Sequence, residues 1–264
     1  GAMAIFAFDT SIVGTSAAFV GMIRRIPVVI RVGGDFVWES YIERTKDLVP
    51  LTMFYTSPTH LNLKEQFARR LVGWTLRHSF PAFNTGWLLD IWREPYKIDK
   101  KRARVVSNVI PARAAQTETH NRSVLMYGRQ IALKNTDAFR KAFQQASVDL
   151  ELERGIIPFA ELMEQMRTCY AVAVPSISEV APNTIIEAIT HGKPFLLSKY
   201  SGFAEKYKDF GIIIDPLDEA DMQRGIREIA DPDVYKRLCE RIETFKEVRT
   251  YKDVADEFLD IIQV

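Results

Sequence analysis

The sequence predicts an α/β protein made of two Rossmann-like, doubly wound domains, the first of them short. Three observations carry that expectation. Apolar runs of four to six residues alternate with helix-period segments, the pattern of parallel strands buried on both faces by helices. A chain of 264 residues has room for two domains of about 100–150 residues each. The alternation also stops at "NVIPARAAQTETHNR" and then restarts, which sets a boundary near Ala112 to Arg122 and divides the chain into residues 1–113 and 114–264.

In the first part, Ile5–Phe8, Val28–Val32, Ala82–Phe83 and Val105–Val109 read as strands, with helices near Ser11–Arg24 and Leu61–His78. The second part is richer. Val124–Tyr127, Val148–Glu151, Tyr170–Val174, Phe195–Ser198 and Ile212–Ile214 read as strands, separated by helices that begin near Lys134, Phe159, Asn183, Gly202 and Glu219. Two further helical stretches, Asp233–Lys246 and Lys252–Ile262, are expected to close the second domain. Gly1-Ala2-Met3 reads as the remnant of a removed tag. The first domain opens on a strand without a glycine-rich first turn, so it is expected to be naturally short or to lack a first βαβ portion.

Composition excludes several classes. A hydrophobic content of 47% with 26% charge is that of an ordinary globular chain rather than a disordered one. The formal charge of +1 removes a whole-chain case for nucleic acid, although the charge is unevenly spread. Residues 1–120 hold 16 Lys and Arg against 10 Asp and Glu, and the remainder holds 19 against 24. Cys169 and Cys239 stand far apart with no ligand-spaced partner, so neither a disulfide nor a zinc site is expected, and a cytoplasmic setting follows. The apolar run "AIFAFDTSIVGTSAAFVGMIRR" is broken by Asp9 and Gly14 into a strand and a helix rather than a membrane span.

The chemistry concentrates in "PSISEVAPNTIIEAITHGKPF", where Glu179 and Glu187 stand eight positions apart in apolar company. A buried carboxylate needs partners or it neutralises, so the sequence should hold them. Glu179 falls in the loop after a buried strand, at the carboxyl edge where doubly wound folds bind ligands. Pro182 and Asn183 start a short helix whose N-terminus offers free N–H groups and about half a positive charge to an anion. Upstream, "YGRQIALKN" puts Arg129 and Lys134 at a second strand end of the same edge. Two cations, a helix dipole and two carboxylates suit a nucleoside diphosphate sugar, with phosphates on the cations and vicinal hydroxyls on the glutamates.

The E-x7-E run after a Pro-Ser strand end, the upstream G-R-x4-K, and "GKPFLLSKYSGFAE" and "GIIIDPLDEADM" downstream resemble the C-terminal domain of family-4 retaining glycosyltransferases of the GT-B fold. The resemblance covers Arg122 to Asp231, and extends more weakly to the first part through "IRVGGDFVWE" and "VVSNVIP". It implies that Arg129 and Lys134 hold the diphosphate, that Glu187 meets the ribose and Glu179 the donor sugar, and that Thr184 adds a phosphate contact. The family commonly has Phe-Gly where this chain has Ala181-Pro182. Proline has no N–H, so a backbone contact must come from Ala181, Asn183 or Thr184. The family also often carries a histidine at an early strand end, where "AIFAFD" offers Asp9. Gly33, Gly34 and Asp35 are the matching acceptor-side candidates.

The resemblance further implies retention of anomeric configuration, and the lack of a credible ligand cluster in the sequence leads to the expectation of no bound metal. The rival is a degenerate, non-catalytic module that binds a nucleotide or a partner. "DPD", Asp231 to Asp233, reads as a helix stop and cap rather than a metal motif. His60, His78, His120 and His191 read as surface or capping positions. "RRLVGWTLRHSF" reads first as an amphipathic helix packed on the sheet. Its second reading is a surface resting on an anionic membrane, at the inner face, through Arg69, Arg70, Trp74 and Arg77. The acceptor (glycan, lipid or small molecule) is left open. An exposed edge at Ile5–Phe8 and the following helix point to pairing with a second copy of the chain, or to a need for a partner or a lost segment.

Overall fold

A computed structural model describes residues 3–114 and 121–263. They form two units, residues 1–109 with 249–264 and residues 110–248. Residues 115–120, His120 among them, fall in the expected boundary stretch and lie outside the described residues.

In chain order the first unit holds β1 (Ile5–Ala7), α1 (Ile12–Arg24), β2 (Val28–Val32), α2 (Phe36–Thr45), α3 (Leu51–Phe54), α4 (Leu63–Arg77), β3 (Phe80–Phe83), α5 (Gly86–Arg93) and β4 (Arg104–Val105). The second unit follows with β5 (Ser123–Tyr127), α6 (Thr136–Ala146), β6 (Glu151–Gly155), α7 (Phe159–Thr168), β7 (Ala171–Val174) and α8 (Asn183–Thr190). It ends with β8 (Phe195–Ser198), α9 (Ala204–Tyr207), β9 (Gly211–Ile214), α10 (Glu219–Ala230) and α11 (Pro232–Glu243). Helix α12 (Tyr251–Ile262) belongs to the first unit again.

The first sheet runs in sequence order, β1-β2-β3-β4, all parallel, so β1 lies at an edge. Its central strand β2 is apolar and buried except at Arg31. The sequence assigns the last helix to the second domain, but its stripe of Val254, Phe258, Ile261 and Ile262 packs on Val29, Ala82 and Val106 of the first sheet. Phe258 meets Phe6 edge to face at 6.0 Å, and the Arg31 guanidinium lies over the same ring. An amphipathic stripe identifies that a helix needs an apolar partner, without naming which one. The strand expected at Val105–Val109 is only two residues long, and α2 and α5 form where no helix was expected.

The second sheet has the order β6-β5-β7-β8-β9, all parallel. Strands β7 and β8 are fully buried, as their unbroken apolar runs require. One core lies under α6 and α10, with Phe139, Phe143, Ile226 and Ile229 against Val124 and Leu196. The other lies under α8, with Ile185, Ile186 and Ile189 against Val172, Val174 and Leu197. Helix α10 comes close enough to the sheet that a Cβ at Gly225 would overlap Ile214. Asp218 caps α10, and Asp231 caps α11 by accepting from the Asp233 and Val234 N–H groups, with Pro232 in the first turn. This is the stop-and-cap expected of "DPD".

Candidate functional site

Two strands whose connections leave in opposite directions frame a crevice, and here they are the neighbours β5 and β7. After β5 the chain turns at Gly128, whose φ of +156° is open to glycine and strained for other residues. It passes Arg129 and closes a 3₁₀ turn over Ala132–Lys134. Asn135 follows in the left-handed region, and its buried side chain donates to the Pro216 carbonyl at 2.6 Å. That bond anchors the turn.

After β7 the chain continues through Pro175 to Glu179, and the Ile177 N–H donates to the Leu133 carbonyl at 2.8 Å. This single backbone bond ties the two strand-end loops together. It sets Lys134 Nζ at 2.7 Å from Glu179 Oε1, with each side chain about one-fifth exposed. The Glu179 carbonyl accepts from the Gly202 N–H at 2.9 Å and Glu179 bridges to Ser201, so the loop after β8 is drawn to the same point. The partner of Glu179 sought in the sequence is therefore Lys134. Arg129 is exposed, and no acidic side chain pairs with it among the described residues.

Helix α8 starts beside this pair, and no side chain caps its N-terminus. Asn183 and Thr184 open the first turn, Ala181 precedes it half-buried, and Pro182 stands at the cap. The uncapped first turn and the helix dipole favour an anion there. Glu187 lies one turn further on. Its carboxyl is pushed above the ordinary range by burial alone, and no donor reaches it among the described residues. The helix ends at His191, whose Nδ1 lies 2.7 Å from the Glu187 carbonyl. Arg129, Lys134, Glu179, Asn183, Thr184 and Glu187 thus all belong to one strand-end region of the second unit, and they combine fixed positive charge with two carboxylates.

The acceptor-side candidates of the first unit are arranged differently. Asp9 follows β1 and accepts from the Ser11 N–H at 2.7 Å, the Ser11 hydroxyl at 2.6 Å and the Gly14 N–H, which makes it the cap of α1. Gly33 and Gly34 follow β2, with Gly33 exposed. Asp35, expected beside an acceptor, is buried at 1% exposure. It accepts from the Val37 and Trp38 N–H groups, the Trp92 indole at 2.8 Å and the Tyr55 hydroxyl. Its carboxylate is used up inside the fold. Asn84, at the end of β3, was not legible as a candidate. It donates to the Gly33 carbonyl at 3.2 Å, and its own buried Oδ1 has no partner. An unpaired buried amide oxygen is a tertiary feature with no motif to announce it.

The remaining candidates are structural. Both cysteines are free, and burial pushes the Cys169 thiol up to about 12. No group of three or more metal-ligating side chains comes together among the described residues. His78 stacks on Trp74 at 4.5 Å, and His60 is exposed. On α4, Trp74 lies beside Phe19 and Val20 of α1, whereas Arg69, Arg70 and Arg77 line a separate hollow.

Comparison with known proteins bears on the fold and on the family that the second unit resembles. Residues 117–245 match the family model of glycosyl transferases, group 1, just under half of the chain. No curated protein matches the chain. Among solved structures, Anabaena HepE in complex with UDP and glucose superposes with a TM-score of 0.72 at 14% identity, over 99% of this chain and 77% of that one. Sucrose-phosphate synthase from Thermosynechococcus elongatus gives 0.69 at 14% identity, over 99% and 73%. WaaG, a glycosyltransferase involved in lipopolysaccharide biosynthesis, gives 0.65 at 13% identity, over 98% of each chain. The two-unit α/β fold is that of GT-B glycosyltransferase structures.

Proposed function

We propose that this chain transfers a sugar from a nucleoside diphosphate sugar to an acceptor, with retention of anomeric configuration and without a metal ion. The observation that carries the reading is the Lys134–Glu179 pair held at the β5/β7 switch point beside the N-terminus of α8, which no side chain caps, with Arg129 in the same turn. The group 1 family match supports the reaction class. HepE, solved with UDP and glucose, makes uridine diphosphate glucose the first donor to test.

In this reading the bond from the sugar's anomeric carbon to the phosphate oxygen breaks while the acceptor's hydroxyl oxygen bonds to that carbon on the same face, its proton passing to the leaving phosphate oxygen, and negative charge grows on the departing diphosphate. Arg129, Lys134 and the first-turn N–H groups of Asn183 and Thr184 stabilise it. A single preorganised oxyanion donor is worth about 3–4 kcal/mol of barrier, so this set is large enough to serve in place of a metal ion. Glu179 holds Lys134 in place before the donor arrives and then receives a sugar hydroxyl. Glu187, lacking a donor of its own, accepts from the ribose diol. The acceptor, a glycan, lipid or small molecule, is received by Gly33 and Gly34 on the first unit, with Asp9 as the acidic group there.

A second reading, nucleotide binding without turnover, is favoured by one observation: Asp9 caps α1, and Asp35 is saturated inside the fold. The purified chain separates the two. Thermal-shift screening against uridine, guanosine and adenosine diphosphate sugars finds the donor, and product assays then read transfer or hydrolysis. Binding with no released diphosphate selects the second reading. Product of inverted configuration, or activity lost to a chelator and restored by manganese, overturns retention and metal independence respectively.

The setting proposed is the cytoplasm. No described helix is long and apolar enough to cross a membrane. A second copy of the chain is the proposed partner. It would cover the edge strand β1 and the α1 face that exposes Ile12, Val13, Phe19 and Ile23.

A further inference from the structure

A cavity of about 720 Å³ runs along α4 in the first unit. None of its lining residues stands at a strand's carboxyl end, so it is separate from the acceptor-side candidates Asp9, Gly33 and Asp35. Its charged walls are Arg69, Arg70, Arg77 and Lys97, and no carboxylate lines it. Among the described residues these four cations have no acidic partner, while neighbouring basic residues do, Arg44 with Glu65 and Arg93 with Asp90. Like charges gathered on one helix face repel, and a bound anion relieves that repulsion.

The spacing explains how the groove forms. Gln66, Arg70, Gly73 and Arg77 follow one another at helix-stripe intervals, and Arg69 flanks them. Gly73 forms part of the floor, where even a Cβ would stand in van der Waals contact with Arg77 Nη1 at 3.4 Å and Tyr96 at 3.5 Å. The Arg69 guanidinium lies 5.2 Å over the Tyr55 ring, and the Tyr55 hydroxyl bonds that of Tyr96 at 3.0 Å. Arg69 is thereby set in place before any ligand arrives. A smaller hollow shares Arg77 and Lys97 and adds Arg102 and Asp99, which leaves the charge balance positive. Planar guanidinium forks match phosphate oxygens in pairs, and the volume falls in the range of small-molecule sites, about 300–1,000 Å³.

We infer that this groove binds a ligand presenting two or more phosphate groups, at a site distinct from the candidate donor site of the second unit. Such groups can come from a soluble polyphosphorylated molecule or from phospholipid headgroups. The test uses the full chain carrying Arg129→Ala and Lys134→Ala, so that the candidate donor site does not contribute. Sodium tripolyphosphate, titrated calorimetrically, is expected to bind and to weaken with added salt. Adding Arg70→Glu and Lys97→Glu, both at exposed positions, is expected to weaken that binding at least ~tenfold with the thermal midpoint unchanged. If the reversals lower the midpoint, the neutral pair Arg70→Gln and Arg77→Gln reads the same loss. Co-sedimentation with phosphatidylcholine vesicles, with and without phosphatidylglycerol, identifies the source. Retention on anionic vesicles that the groove variant loses assigns lipid headgroups, and tripolyphosphate binding alone assigns a soluble ligand. Binding of either probe that survives charge reversal, or no binding of both, overturns the inference.

Discussion

Asp35 and Glu179 both follow a buried parallel strand at its carboxyl edge, one in each unit, yet they have opposite fates. Asp35 receives four donors from its own fold and is 1% exposed. Glu179 receives one cation and stays about one-fifth exposed. A strand-end acid is therefore not a site by position. It becomes one when the surrounding fold leaves part of its hydrogen-bonding capacity unused. The desolvation that raises the Asp35 carboxyl is partly offset by its donors, and those donors make it an internal fastener.

The sharpest way to break this contrast is to remove each acid. Asp35→Ala orphans the Trp92 indole and two first-turn N–H groups, leaves the Tyr55 hydroxyl with Tyr96 alone, and should lower stability by about 3 kcal/mol or more in chemical denaturation. Glu179→Ala should change stability by no more than about 1 kcal/mol, since a partly exposed ion pair contributes little, while sugar transfer falls. Equal stability losses in the two variants would erase the distinction.

The next effect concerns the cations. Replacing Arg129 and Lys134 together by Ala should weaken nucleotide binding at least ~tenfold, or about 1.4 kcal/mol, by titration calorimetry. Unchanged affinity would remove the diphosphate from this turn.

Glu187 provides a smaller and pH-dependent comparison. Its folded-state carboxyl titrates above the unfolded one, so its contribution to stability is complete below the unfolded value and declines as pH rises through the folded value. Glu187→Gln removes that decline. The variant should melt higher than the parent near neutral pH and at the same temperature below about pH 4, the ordinary glutamate range. It should also bind nucleotide more weakly. A variant less stable at neutral pH would show that Glu187 has a stabilising partner. The smallest expected effect is on association: Phe19→Lys with Ile23→Lys, both on the exposed face of α1, should lower the mass read by light scattering at high concentration. A parent chain monomeric at every concentration would dismiss the pairing.

The sequence by itself determined the two-sheet α/β class, nearly every strand of the second unit, and that Lys134 and Glu179 stand at strand ends of one sheet edge. These are legible because local rules produce them: unbroken apolar runs make buried parallel strands, and Pro182 with Asn183 starts a helix where it must. Only the tertiary structure decided which acids are free, where α12 docks and which arginines face one groove. The Trp92 indole reaches Asp35 across 57 residues, and α12 returns to a sheet whose strands ended near residue 105. Such partners are chosen by packing between distant segments. An amphipathic stripe or a strand-end carboxylate states a need for a partner, and folding in three dimensions selects the one that meets it.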